Sequence, residues 1–223
     1  MATLKVVKAK EKKRRLSPTV REQQIVDEAI QFFAEVGFAG RTRELAKRIG
    51  ITQPLLYRYF PTKEDLIDRV FDEVFVRPLD QDWAKKILDR SIPLDERLRD
   101  FYIDYAETVH RYEWIRIYMF SGLMGNPYNR RYIRMIEDVF LKPICIEIRD
   151  YCNLTSVESM PIGDMELEQA WILHGGLFYY AVRKNIYHSR VSNDYVKIVV
   201  TAIEVLLKGI KATYNGNGGM KND

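Results

Sequence analysis

Cysteine is scarce in this chain. Only Cys145 and Cys152 occur in 223 residues, which excludes a disulfide framework. On a helix their separation puts both on one face about 10 Å apart, too far for a bridge. Both read as small buried apolar side chains. Histidine is almost as rare. His110, His174 and His188 show no metal-ligand spacing, so no metal site is expected. No glycine-rich phosphate loop occurs, and no Ser or Cys stands in a nucleophile setting, so a helical enzyme has no support and no cofactor is called for. No run of about eighteen apolar residues exists, and no apolar segment follows the Lys-rich start. The chain is therefore expected to be cytoplasmic, without a membrane partner. Alternating strand patterns and internal repeats are lacking too, which leaves an all-α fold.

What is present begins with charge. The net +4 of the whole chain is unevenly spread. Residues 1–63 hold 14 Lys and Arg against 6 Asp and Glu, whereas residues 64–223 hold 21 against 25. A basic head on an acidic body points to a polyanion as partner of the head alone. Part of the excess belongs to the string KAKEKKRR at 8–15, a solvated basic arm.

The organisation reads as follows: a flexible basic arm over 1–16, a small helical head over 17–63 linked through a helix at 62–77, a larger helical domain over 78–214, and a flexible tail over 215–223. A first helix starts at Ser17 or Thr19 as cap, with Pro18 or Glu22 in support. Ile25, Ala29, Phe32, Phe33 and Val36 share its apolar face, and Gly37 ends it. A second helix runs from Arg43 to Ile49, with Thr42 as its cap. Gly50 suits a left-handed turn, Thr52 caps a third helix with Pro54 in its first turn, and that helix ends near Phe60. Thr62 and Asp65 form a capping box for the fourth, which runs to Arg77 before Pro78. Further helices are expected over 80–90, 93–111, 113–124, 128–151, 164–186 and 193–213.

On the third helix Leu56 and Phe60 face inward, while Gln53, Pro54, Tyr57 and Arg58 face out. Groove entry explains so short a helix with large polar side chains. Gln pairs bidentately with adenine, Arg with guanine or phosphate, and Pro54 or Leu55 meets a thymine methyl. Tyr57 and Tyr59 offer hydroxyls to phosphates. Lys63 sits at a helix start, where the dipole disfavours a cation unless a phosphate is the neighbour. An ordinary helical hairpin with a solvated face is the plainer alternative.

The segment resembles the DNA-binding domain of the TetR/AcrR family of bacterial transcriptional regulators. The matching strings are FFAEVGF ending the first helix, TRELA opening the second, ITQPLLYRYF as recognition helix and KEDL opening the fourth. They cover about residues 18–70. The loop Phe38 to Arg41 is a residue shorter than usual in the family, with Arg41 where a Thr is common. The resemblance implies a helix-turn-helix domain followed by an effector-binding and dimerisation domain. It implies a homodimer on palindromic operator DNA, with Thr42, Arg43, Tyr57, Tyr59 and Lys63 at the backbone and Gln53, Pro54, Leu55 and Arg58 near bases; Arg41 and Thr52 belong to the same DNA-binding face. The function expected is that of a repressor released by a small-molecule effector. A sequence-tolerant architectural DNA binder without an effector is the other reading.

In the body, segments 164–186 and 193–213 are apolar on more than one face and are expected to form the dimer interface. Gly175 and Gly176 inside the first of these suggest close helix approach. The middle of the chain is rich in aromatics and Met. Tyr102, Tyr105, Trp114, Tyr118, Met119, Met135, Trp171 and His174 are the candidates for a pocket taking an aromatic or apolar effector. The helix 62–77 is expected to be the only link between head and body, with Pro78 as a hinge. Arg130, Arg131 and Arg134 read as a solvated helix face.

Overall fold

A computed structural model describes residues 17–78, 82–124 and 127–216. The expected basic arm, the last seven residues of the tail and the breaks at 79–81 and 125–126 lie outside the described residues. Every element among the described residues is helical: α1 (Pro18–Val36), α2 (Thr42–Ile49), α3 (Gln53–Tyr59), α4 (Lys63–Phe71), α5 (Asp82–Leu88), α6 (Leu94–Val109), α7 (Tyr112–Leu123), α8 (Pro127–Ile136), α9 (Lys142–Tyr151), α10 (Asp164–Asn185) and α11 (Tyr195–Gly216).

The first four helices follow their local signals. Ser17, not Thr19, caps α1: its Oγ accepts from the amide of Val20 at 3.3 Å. The buried face of α1 is Ile25, Val26, Ala29, Phe32, Phe33 and Ala34. Val36 departs from the expectation and lies 48% exposed, because α1 ends there and the chain turns away. Gly50 adopts φ 75°, ψ 32°, the left-handed turn that reverses the chain between α2 and α3. Leu45, Leu56 and Phe60 close the small core of this head against α1. Arg48 on α2 grips α1 through Glu35, at 2.6 and 2.9 Å, and through Glu28.

α4 does not run straight to Arg77. It ends at Phe71 and continues as a π-helical turn, Asp72–Val76. The same device joins α8 to α9 at Glu137–Leu141, dividing the single segment expected over 128–151. Each wide turn rotates large side chains inward: Val74 and Phe75 in the first, Phe140 and Leu141 in the second. The body is built around α6, which packs against α5, α7, α9, α10 and α11. One charged cluster is buried there. Glu147 on α9 accepts from Arg97 at 2.8 Å and from Arg90 at 3.0 Å, so the buried carboxylate is paired on both sides.

Candidate functional site

Two regions gather the residues that the sequence singled out. The first is the outer face of α2 and α3. Arg41, Arg43, Thr52, Pro54, Tyr57 and Arg58 are exposed, and Gln53 and Lys63 are half-buried. Between α2 and the start of α3 lies an open concavity of about 630 Å3, with Arg41, Arg43, Lys47 and Gln53 on its walls. Lys47 was missed by sequence reasoning. Its position four residues after Arg43 places it on the same helix face and was the available signal.

Thr42 is not the cap of α2. Arg41 occupies that place without a side-chain hydrogen bond, and Thr42 is the first helical residue, buried. Thr42 Oγ1 instead lies 3.0 Å from the Tyr57 hydroxyl and accepts from Gln53 Nε2 at 3.2 Å. One small hydroxyl on α2 thus fixes two side chains of α3. Leu55 and Tyr59 are half-buried, and Tyr59 packs against the core of the head.

The three helix starts differ. Thr52 Oγ1 accepts from Leu55 N at 3.4 Å. The start of α4 is closed by a complete capping box, with Asp65 N donating to Thr62 Oγ1 at 3.0 Å and Thr62 N to Asp65 Oδ2 at 2.9 Å. Only α2 begins without a side-chain cap.

The second region lies in the body. A cavity of about 50 Å3 is floored by the buried Tyr105, Trp114, Tyr132, Ile136 and His174. Its half-buried mouth is made by Tyr118, Ile133, Trp171, Gly175 and Phe178. Tyr105, Trp114, Tyr118, Trp171 and His174 are therefore brought together as expected. Tyr102 packs its ring against that of His174 with centroids 5.9 Å apart but does not line the cavity. Met119 and Met135 pack elsewhere against the core. Tyr132 and Phe178 were not among the pocket candidates, since helical spacing alone cannot say which rings share a void.

The floor is polar in one line. The hydroxyls of Tyr105 and Tyr132 are 2.8 Å apart, and Tyr105 lies 3.4 Å from His174 Nε2. Burial lowers the His174 pKa to about 4, so its ring is neutral at pH 7. Burial likewise pushes the Tyr105 hydroxyl well above its ordinary value.

The glycine pair in α10 does not serve close packing within the chain. A β-carbon at Gly175 or Gly176 would meet nothing within 4 Å. Gly175 opens onto the aromatic cavity, and Gly176 opens onto an apolar groove of about 620 Å3 between α10 and α11. Ile172 and Val205 stand at that groove 72% and 67% exposed.

α4 is not the only link between head and body. α1 packs along α7, where the Arg116 guanidinium donates to the carbonyls of Ala34 and Glu35 at the end of α1. Tyr128 of α8 stacks on Phe71 at 4.8 Å and donates to Asp68 of α4. The π-turn after α4 sets Phe75 against Trp114 and Tyr132, at 4.9 and 5.6 Å, on the floor of the cavity.

Comparisons with known proteins agree with this geometry. A family model described as "Bacterial regulatory proteins, tetR family" matches residues 25–70. The chain is 37% identical over 67 residues to the HTH-type transcriptional regulator LuxR of Vibrio harveyi, a match spanning 30% of this chain and 33% of the relative. The chain thus aligns with about a third of that curated relative's length. A TetR-like regulator from Rhodococcus sp. RHA1 is similar in structure over 88% of this chain and 98% of its own, at TM-score 0.63 and 22% identity. Mycobacterium smegmatis AmtR is similar over 92% and 97%, at TM-score 0.61 and 19% identity. These two likenesses extend the shared fold across the body.

Proposed function

Given that the chain belongs, through residues 25–70, to the tetR family of bacterial regulatory proteins and is a DNA-binding transcriptional regulator, we propose that it is a homodimeric repressor. It binds a palindromic operator and is released by a small-molecule effector held in the body. The observation that carries the DNA reading is the Thr42–Tyr57–Gln53 triad. It presents one side chain suited to phosphate and one suited to adenine from a recognition helix whose other face is buried in the head.

Arg41, Arg43, Thr52, Tyr57 and Lys63 sit on the phosphate backbone, joined by Lys47, while Thr42 acts by orienting its two partners. Gln53, Pro54, Leu55 and Arg58 approach bases, and Tyr59 supports the helix from its half-buried side. Replacing Tyr57 by Phe together with Lys63 by Ala should weaken binding to every duplex by roughly tenfold or more, since each lost charged or polar phosphate contact removes sequence-independent affinity. Gln53→Ala should leave random-duplex affinity near wild type and cut operator affinity by about 1–3 kcal/mol. Gel shifts on an operator selected from a random pool measure both, and unchanged operator affinity in both variants would remove the assignment. An architectural binder would show no large ratio between operator and random duplex as salt is raised.

Dimerisation uses α10 and α11, whose groove and flanking Ile172 and Val205 suit a two-fold contact in which each copy seats in the other. The aromatic cavity is the effector site. Its floor touches both routes to the head. Trp114 and Tyr118 line it from α7, whose other side clamps α1 through Arg116, and Phe75 reaches it from the end of α4. A ligand that spreads these rings shifts both helices and changes the setting of the two heads.

A further inference from the structure

We propose that the aromatic cavity takes a compact uncharged aromatic molecule bearing one hydroxyl, and that Gly175 is the position that leaves room for it. This rests on the body being an effector domain, and it names the chemical class of the effector.

Among the residues lining the cavity none is Lys, Arg, Asp or Glu. The nearest carboxylate, Glu137, is turned to the Trp171 indole, which donates to it at 3.1 Å. An ion brought here would lose its water without meeting a counter-charge, so a charged ligand is rejected. The walls are rings. Trp114 and Tyr118 stack at 5.2 Å, and Phe178 meets Tyr118 edge-on at 5.4 Å, a surface that favours another ring over an alkyl chain.

The oxygen is called for by the floor. Tyr132, Tyr105 and His174 Nε2 form one hydrogen-bonded line, which leaves the other ring nitrogen, Nδ1, as a donor or an acceptor according to the tautomer. That atom is buried and has no partner among the described residues. A buried polar nitrogen without a partner is costly, and a ligand hydroxyl, which can donate or accept, removes the cost.

Size follows from volume. The void of about 50 Å3 is well below the roughly 150 Å3 that accepts a benzene ring. Tyr118 and Phe178, both at the half-buried mouth, must swing outward, and one ring is the largest occupant that so few side chains admit. Gly175 stands beside them with open space where a β-carbon would be. A β-carbon there adds bulk beside the cavity without meeting any atom within 4 Å.

The test uses the full chain and the fluorescence of Trp114 and Trp171, titrated with phenol, toluene and benzoate at pH 7. Phenol should quench saturably and bind up to about tenfold tighter than toluene, the worth of one hydrogen bond. Benzoate should not bind. Gly175→Met should lose phenol binding by at least tenfold while keeping operator affinity, with Gly175→Ala as a milder variant should the larger side chain fail to fold. His174→Leu should erase the preference for phenol over toluene. Benzoate binding as tightly as phenol, Gly175→Met or Gly175→Ala binding phenol like wild type, or no saturable quenching up to about 10 mM phenol would overturn the proposal. Gel shifts on the same preparations separate the two readings. Operator binding without phenol binding removes only this inference, whereas failure to select any operator removes the regulator reading whatever the fluorescence shows.

Discussion

His174 shows how one buried residue sets a condition on the whole fold. Its folded pKa of about 4 lies below the ordinary value of 6.5 because burial disfavours the charged ring, and His110 is lowered to about 4 in the same way, with Lys184 adding to burial. The folded state keeps both rings neutral down to about pH 4, whereas the unfolded chain takes up protons near 6.5. Between these values the unfolded state binds more protons, so stability is full above about pH 6.5 and falls as the pH drops toward 4. The thermal midpoint should fall steadily over that window, and His174→Gln should flatten the slope. A midpoint independent of pH between 6.5 and 4.5 would contradict the burial of both rings. The Thr42 hydroxyl is the counterpart in the head. The sequence marks Thr42 as a helix cap because it stands just before an apolar pattern. Contact with Tyr57 and Gln53, residues fifteen and eleven positions away, gives it a different task.

At the scale of elements, the junction of α1 with α7 carries the most consequence. Gly37 ends α1 with φ 74°, and a β-carbon there would lie 3.1 Å from the Phe120 ring on α7. Both facts reserve the position for glycine. Arg116 reaches across from α7 to the last carbonyls of α1 and lies 5.2 Å over the same Phe120 ring. Arg116→Ala should therefore loosen the end of the helix without touching the body's core. Amide hydrogen exchange should rise several-fold over residues 35–41 and stay unchanged in α6. Equal protection in variant and wild type would show that the clamp imposes no constraint. This junction was not legible in the sequence. Val36, Gly37 and Phe38 read as the end of an amphipathic helix, and nothing local says that another helix 80 residues later reads the carbonyls at that end.

For the whole molecule the question is assembly. Among the described residues no helix is long and apolar enough to cross a membrane. The groove between α10 and α11 leaves large apolar side chains exposed. Ile172 and Val205 face outward on adjacent helices. The double variant Ile172→Asp, Val205→Asp should sediment as a monomer at micromolar concentration, with its helical circular dichroism intact. Its operator affinity should fall by more than tenfold, because one head alone keeps only half the contacts of a two-fold site. A variant that stays dimeric would move the interface off this face.

The recognition segment was legible because its signals are local. Gly50 must turn left-handed, Thr62 and Asp65 cap each other three residues apart, and Leu56 and Phe60 fall on one face at a spacing of four; each depends on neighbours within a single helical turn. The aromatic richness of the body was equally visible, and so was its all-helical character. Which rings meet was not. Tyr105 and His174 line the cavity and Met119 does not because α6, α7, α8 and α10 cross at particular angles, and those angles follow from packing among residues far apart in sequence, 27 positions for Tyr105 and Tyr132 and 69 for Tyr105 and His174. The same reason hid the π-turn that carries Phe75 from the end of α4 to the cavity floor. Helix periodicity is written into short stretches of chain, but a void is defined only by the side chains that several helices leave unfilled together.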